Sequence, residues 1–425
     1  MNIPGTGEFV VPFNREECPR ENCGRVNALD RWLVRTFLSH IGNPDLRLTL
    51  WDGKILSASG NAASAGMVIH DRASLLRLFT NPLLHFGDDY CAGRIEIEGG
   101  LVPFMETVYR ALGKSPKYGL GSYPGAYRRN QPSRNSLQES RQNIHYHYDI
   151  GNDFYRLWLD EEMVYTCAYF PDQGASLEEA QIAKMDLVCR KLRLQPGQTV
   201  VEAGCGWGAL ARYMAREYGV TVRAYNISSE QIVYARQRAQ EEGLQGRVEY
   251  VEDDYRSISG SCDAFVSVGM LEHVGPDHYR ELGAVVNRCL AGDGTGLIHT
   301  IGQNTSRPMS SWFLHRIFPG SYPPTIREMM ALFEPWDFTV LDVENLRLHY
   351  ARTCEHWLER FEKNLHRVHE MFDEVFIRAW RLYLSGCIAN FNIGSLQLFQ
   401  VVFSRSANNR IPLTRRYLTL PAGES

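Results

Sequence analysis

The segment VVEAGCGWGALARYMA (200–215) limits the folds open to this chain more than any other stretch of its 425 residues. A short apolar run enters a turn carrying Gly204, Gly206 and Gly208 and leaves as a helix with an apolar face. Glycines at such a turn let the backbone bend sharply and bring its N–H groups against a ligand with no Cβ in the way. The text on both sides repeats the alternation: helix EEAQIAKMDLVCRKLRL, strand QTVVEAG, helix ALARYMAREYG, strand VTVRAYNI, helix SEQIVYARQRAQEEG, strands VEYVEDD and DAFVSVGM. Strands alternating with helices at this spacing predict an α/β fold with a Rossmann-like, doubly wound parallel sheet.

The turn reads GxGxG, not the GxGxxG of dinucleotide sites, and Glu202 stands two positions before its first glycine. That favours S-adenosylmethionine, which has no pyrophosphate and whose amino group an acidic side chain can meet. Glu202, Gly204, Cys205, Gly206 and Gly208 are therefore candidate cofactor contacts. The second strand ends NISSEQ (226–231) without the acidic residue expected to hold ribose hydroxyls, and Gln231 could bond them instead. The third ends Asp253-Asp254-Tyr255, where a carboxylate and an aromatic face could meet an adenine; acidic turns with an aromatic are also commonplace on surfaces.

A net charge of −4 gives no reason to expect a nucleic-acid partner, which normally leaves a strongly basic stripe. The ten cysteines form no CxxC pair and no cluster at zinc spacing, which fits a reducing, cytoplasmic setting and predicts no metal. The N-terminal text has neither an apolar core nor an early basic run of the secretory kind, and no apolar run reaches the roughly 18 residues of a membrane span. A lipid substrate would have to be reached from the membrane surface.

Three regions are expected. Residues 1–112 form a small α+β domain, with a helix over 29–41, a strand pair over 46–56 turning at Asp52-Gly53, and a strand followed by a helix over 67–87. Residues 113–141, rich in Gly, Pro, Ser, Asn and Arg, read as a linker. Residues 142–425 form the catalytic domain, dominated after Leu297 by aromatic-rich helices. The stretch HYHYDIGNDFYRLWLDEEMVYTCAYF (145–170) suits either an aromatic core segment or a tunnel whose ring faces tolerate a cation. GMLEHVG (269–275) puts Glu272 and His273 at the carboxyl edge of the sheet, where open α/β folds bind ligands, and LIHTIG (297–302) presents His299 at another strand end.

Taken together, HYDIGNDFYRLWLDEEMVYTCAYF, VEAGCGWGALARYMA, SSEQ, SVGMLEHVG, LIHTIG, IFPGSYPP and LQLFQVVFS resemble the cyclopropane fatty acid synthase family, including the mycolic acid cyclopropane synthases, from about 145 to 405. FGDDYCAGRIEI (86–97) is similar, more loosely, to the accessory domain of the phospholipid-acting members. The resemblance implies a class I methyltransferase fold with helical acyl-binding insertions. It also implies that Tyr165, Thr166, the Gly204–Gly208 loop, Asn226 with Ser228 and Gln231, and Asp254 with Tyr255 contact S-adenosylmethionine. Cys167, Glu272, His299, Ile301 and Tyr350 would hold a bicarbonate acting as general base. Cys387 matches a family YLxxC helix and is either an active-site position or a small residue on a buried helix face. Thr166 replaces the usual Ser and keeps its hydroxyl, Leu271 replaces the usual Phe, and SYPPT after FPG departs on the acyl-binding side.

The expectation is a peripheral membrane enzyme that adds a one-carbon unit to a cis double bond of an unsaturated phospholipid acyl chain, with a homodimer as one option for assembly. A rival shares the first step and quenches the cation to give a methyl-branched or methylene chain. A second rival, a catalytically silent lipid-binding protein, would have lost Glu272, His299 or the glycine loop; all are present.

Overall fold

The computed structural model describes residues 24–57, 65–114, 150–307 and 309–418. The expected linker, past residue 114, and residues 145–149 of the aromatic stretch lie outside them. The chain forms two compact units, each discontinuous in sequence: residues up to 130 with 308–319 and 366–389, and residues 131–307 with 320–365 and 390–425.

The first unit carries a four-stranded sheet of order β2-β1-β3-β4, with β1 Leu46–Leu50, β2 Ile55–Ser57, β3 Ala65–Ile69 and β4 Ile95–Glu98. Strand β1 alternates buried and half-buried residues, the period of a strand with one face in the core. It pairs antiparallel with β2 across the expected turn and parallel with β3. The helix expected before residue 87 is two helices, Arg72–Thr80 and Pro82–Cys91. Pro82 opens the second, where a missing N–H costs nothing. Later chain joins this unit through specific contacts. Arg316 grips Asp88 with two nitrogens at 3.1 Å each, and Arg378 donates to the carbonyls of Tyr90 and Ile95. The Trp312 ring lies so close to Gly87 that a Cβ there would sit 2.4 Å from it.

The second unit holds a seven-stranded sheet of order β10-β11-β9-β8-β5-β6-β7. Its strands are β5 Thr199–Ala203, β6 Thr221–Asn226, β7 Val248–Glu252, β8 Cys262–Val268, β9 Leu290–Gly302, β10 Phe338–Asn345 and β11 Gln397–Arg405. Strands β5 to β9 are parallel, as the alternation predicted, while β11 runs antiparallel between β9 and β10. The region read as helical after Leu297 thus also supplies two strands. Residues 397–404 of β11 are all buried, polar Gln397, Gln400 and Ser404 included, so the strand shows no period of two.

Successive strand residues feed opposite cores. Val200, Val222, Val266, Leu297 and Val402 pack with helices Leu177–Leu192, Ala209–Tyr218 and Ser229–Glu241. Val201, Phe265, Ile298, Val401 and Phe403 pack with helices Tyr279–Cys289 and Ile326–Phe333. The strand order reverses between β5 and β8, and the carboxyl ends of those two strands border the crevice that such a reversal leaves. No helix among the described residues is long and apolar enough to cross a membrane.

Candidate active site

The glycine loop leaves β5 in left-handed backbone, with φ of +85° at Gly204, +53° at Gly206 and +80° at Gly208. Each glycine meets something different. A Cβ on Gly204 would lie 2.9 Å from that of Met270, and one on Gly208 would lie 2.4 Å from the Tyr250 hydroxyl; Gly206 has nothing within 4 Å on that side. It borders instead a pocket at the carboxyl edge of the sheet, with about 780 Å³ of atom-free space counting its open mouth. Tyr165, Thr166, Glu202, Gly204, Cys205, Gly206, Asn226 and Gln231 all line it, together with Val268, Gly269 and Met270 from the end of β8. Glu202 is buried with Oε2 lacking any hydrogen-bond partner. Burial pushes its carboxyl up to about 7, against the pull of Lys184 and Arg212. An unpartnered acidic oxygen beside a backbone cradle fits an amino-acid-bearing ligand such as S-adenosylmethionine.

Four expected contacts do not line the pocket. Gly208 starts helix Ala209–Tyr218, its carbonyl accepting the Tyr250 hydroxyl at 2.8 Å. Ser228 caps helix Ser229–Glu241. Asp254 is occupied by Arg256, whose Nη1 lies 3.0 Å from both carboxylate oxygens, and Tyr255 is buried with the Arg256 guanidinium 4.8 Å from its ring centroid. Both residues are buried, and Arg256 partners them in the ligand-free protein. Asn226 and Gln231 reach the pocket as a bonded pair, Nδ2 of Asn226 donating to Gln231 Oε1 at 2.7 Å and to the Gly206 carbonyl at 3.3 Å.

Sequence reasoning missed Lys184, which lines the same pocket and donates to the Thr166 hydroxyl at 3.0 Å. Burial pulls its ammonium down to about 8, opposed by Asp160, Cys167 and Glu202. A signal existed: Leu177, Lys184, Val188 and Lys191 fall on one face of helix Leu177–Leu192, so two lysines occupy the stripe that should be apolar. Charged groups there need a buried partner. His273, adjacent to Glu272 in sequence, also lines the pocket, while Glu272 turns elsewhere.

Glu272 Oε1 accepts from the Ile301 amide at 2.5 Å, and its Oε2 has no partner. Burial raises its carboxyl to about 7 despite that amide. Residues 299 and 301 alternate onto one face of β9, so His299 and Ile301 point the same way. His299 is buried, with Nδ1 3.0 Å from Gln400 Nε2 and Nε2 unpartnered. Cys167, Ile301 and Tyr350 pack in one cluster with Leu346 and Leu398. Burial pushes the Cys167 thiol up, away from reactivity. Of the five residues expected around an anion, Cys167, Ile301 and Tyr350 share this cluster, Glu272 joins it through the Ile301 amide, and His299 stands two residues before Ile301 on the same face of β9. The Ile301 N–H is taken by Glu272 in the ligand-free protein. This cluster adjoins the pocket, because the Gly269 amide at the pocket wall donates to the His299 carbonyl at 2.9 Å.

The aromatic stretch splits by depth. Phe154, Tyr155 and Trp158 are fully buried and pack edge-on with one another, which is the core reading. Among the described rings of the stretch, Tyr165 reaches the pocket; it contacts Trp357 at 5.2 Å, Trp357 contacts Tyr350 at 6.0 Å, and Tyr350 stacks on Phe391 at 4.6 Å. Rings thus run from the pocket to the anion cluster. Cys387 belongs to the first unit, half-buried on helix Glu374–Ile393.

A family model described as mycolic acid cyclopropane synthetase matches residues 135–401, and one described as a domain of unknown function matches 33–115. A probable fatty acid methyltransferase of Pseudomonas putida is 35% identical over 387 residues, covering 87% of this chain and 95% of that protein. Cyclopropane-fatty-acyl-phospholipid synthase of Escherichia coli K12 is 41% identical over 270 residues, covering 63% of this chain and 69% of that protein. The crystal structure of mycolic acid cyclopropane synthase CmaA1, complexed with SAH and CTAB, is similar over 62% of this chain and 98% of its own, at 32% identity and a TM-score of 0.60. With a family match over more than half of its length, and a sheet whose carboxyl edge carries this pocket, the chain belongs to the mycolic acid cyclopropane synthetase family and is an S-adenosylmethionine-dependent methyltransferase.

Proposed function

We propose that the protein converts a cis double bond of an unsaturated phospholipid acyl chain into a cyclopropane at the membrane surface, from the cytoplasmic side. The observation that carries this reading is the pair of buried, unpartnered polar atoms, Glu272 Oε2 and His299 Nε2, in a cluster that touches the cofactor pocket. S-adenosylmethionine bound against Glu202 and the glycine loop supplies an electrophilic methyl group. The alkene π electrons form the new C–C bond as the S–CH3 bond breaks and its electrons stay on sulfur. Positive charge then sits on the acyl chain, and the Tyr165, Trp357, Tyr350 and Phe391 rings can stabilise it without being alkylated as a carboxylate would be. Loss of one proton from the new methyl group closes the ring, for a net gain of CH2.

That proton needs a base, and the cluster fits bicarbonate. Glu272 Oε2 and His299 Nε2 would hold the anion, which when bound would supply a small, mobile base for that proton. Holding the acyl chain and cofactor together supplies the rest through proximity. The N-terminal region, through residue 112, is assigned to engaging the lipid surface, and a homodimer is the proposed assembly.

A second reading has one specific support, the similarity over most of the chain to a probable fatty acid methyltransferase. In that case the cation loses a proton to leave a methylene chain, or takes hydride from a reduced nicotinamide or flavin donor to leave a methyl-branched chain. Mass spectrometry and NMR of lipids from a host rich in cis-unsaturated phospholipids distinguish the outcomes. The proposal expects one added CH2 per modified chain, resistance to hydrogenation and cyclopropane proton signals. A product heavier by two further hydrogens is the methyl-branched chain and selects the second reading. Unchanged lipids beside folded protein overturn both.

A further inference from the structure

A line of polar side chains crosses the sheet behind the anion cluster. His299 on β9, Gln400 on β11 and Glu344 on β10 are direct cross-strand neighbours, and such partners share a face. Lys191 reaches the same line from helix Leu177–Leu192, its Nζ 2.6 Å from Gln400 Oε1 and 2.5 Å from Glu344 Oε2. Both Lys191 and Gln400 are buried, whereas Glu344 is partly open to solvent.

The donor inventory of these groups leaves one arrangement. A lysine ammonium only donates, so the amide oxygen of Gln400 must face it. The amide nitrogen then faces His299 Nδ1 at 3.0 Å, and an amide NH2 only donates. His299 Nδ1 must therefore accept. Burial and the charges of Lys184 and Lys191 hold the ring neutral, and a neutral imidazole carries one proton. That proton is on Nε2, the nitrogen with no partner in the protein.

We propose that Lys191 and Gln400 are positioning residues for the methyl-transfer reaction: they lock His299 as the tautomer protonated on Nε2, so that it presents a hydrogen-bond donor, not a base, to the anion site. This rests on the reading of the anion cluster given above and adds to it which group can take the proton. His299 cannot, since its Nδ1 lone pair is committed to Gln400 and its Nε2 carries a hydrogen. A ligand acceptor oxygen must face Nε2, which leaves Glu272 Oε2 to face a ligand donor. Lys191 is held in place by its ion pair with Glu344.

The test uses the full chain labelled with 15N at its 13 histidines, with His299→Gln to assign the resonance. The wild type should show pyridine-type Nδ1 and pyrrole-type Nε2 at His299. Gln400→Glu keeps the size but offers only acceptors between Lys191 and His299, so it should move the proton to Nδ1. Turnover should then fall at least about tenfold, as misplaced imidazole tautomers do in other enzymes, while S-adenosylmethionine affinity stays within about twofold. Lys191→Met frees the amide to flip and should give a mixture of both tautomers. A wild-type spectrum with the proton on Nδ1 overturns the proposal, as does an unchanged His299 pattern in Gln400→Glu. A reversed tautomer with undiminished turnover instead overturns the reading of the anion cluster as the reaction site. If Gln400→Glu does not fold, the wild-type and Lys191→Met spectra still decide.

Discussion

Replacing Gly206 and Gly208 by alanine, one at a time, separates a glycine kept for the ligand from one kept for the fold. At Gly206 the φ of +53° lies in the left-handed helical region, and a Cβ would have nothing within 4 Å. The cost to the apo protein is the left-handed strain alone, about 1–2 kcal/mol. At Gly208 the same strain adds to a collision, a Cβ 2.4 Å from the Tyr250 hydroxyl and 2.6 Å from its ring carbons. Tyr250 is buried and its hydroxyl is bonded to the Gly208 carbonyl, so the ring cannot swing aside without losing that bond and opening the core. Overpacking of this kind adds about 1–3 kcal/mol, for a total of about 2–5 kcal/mol. Binding should rank the other way. The Gly206→Ala methyl enters the pocket and should weaken S-adenosylmethionine at least about tenfold, equivalent to about 1.4 kcal/mol. Folded Gly208→Ala should bind within a few-fold of wild type. Chemical denaturation of the apo proteins and titration calorimetry of the folded fractions give both numbers. Near-normal affinity of Gly206→Ala, or equal destabilisation by the two substitutions, refutes the division of labour.

Three further outcomes are expected. Glu272→Gln can keep the Ile301 hydrogen bond through its amide oxygen but turns the unpartnered Oε2 into a donor; turnover should fall at least about tenfold with cofactor affinity nearly unchanged and partial rescue by added bicarbonate, and a loss traced to affinity alone removes Glu272 from the base site. Burial raises Glu202 from 4.5 to about 7, so the folded protein holds a proton that the unfolded chain has released in that interval; its stability contribution is full below pH 4.5 and lost as pH rises through about 7, and Glu202→Gln should flatten the melting temperature across this window, an identical slope being the refuting result. Gly87→Val drives a branched side chain into the buried Trp312 ring and should destabilise the first unit by at least about 2 kcal/mol in denaturant; wild-type stability would show that the ring yields.

The loop and strands β5 to β8 were legible because each is a local pattern, an apolar run broken by glycines or followed by a helix with its own period. Glu272 and His299 were legible for a related reason, since strand ends at the carboxyl edge are where this sheet binds ligands. Strands β10 and β11 were not. Their place depends on pairing over long sequence distances, and β11 buries both faces, which erases the alternation that marks a strand. Lys184 and Lys191 left a fainter mark, two lysines on the otherwise apolar face of their helix, while the partners that keep them buried, Thr166, Gln400 and Glu344, stand on other segments. The pairing of Asp254 with Arg256, two residues on, was likewise not marked by any period in the sequence. The first unit's recruitment of 308–319 and 366–389 rests on contacts such as Arg316 with Asp88, which no local period announces.

Strand β9, with its 13 residues, has one further consequence, and it concerns time. On a ribosome β9 emerges roughly a hundred residues before β11, an interval on the order of 5–20 s at ordinary synthesis rates. Through that interval the strand bearing His299 is the border of a half-built sheet, with its backbone N–H and C=O groups unpaired on one side and its apolar faces awaiting a cover. Such a border recruits any extended strand it meets, including one from a neighbouring nascent chain. Fragments ending between Gly302 and Gln397 should therefore precipitate rather than accumulate as soluble half-enzymes, and codon choices that slow translation across this window should lower the yield of soluble protein without altering a single residue of it.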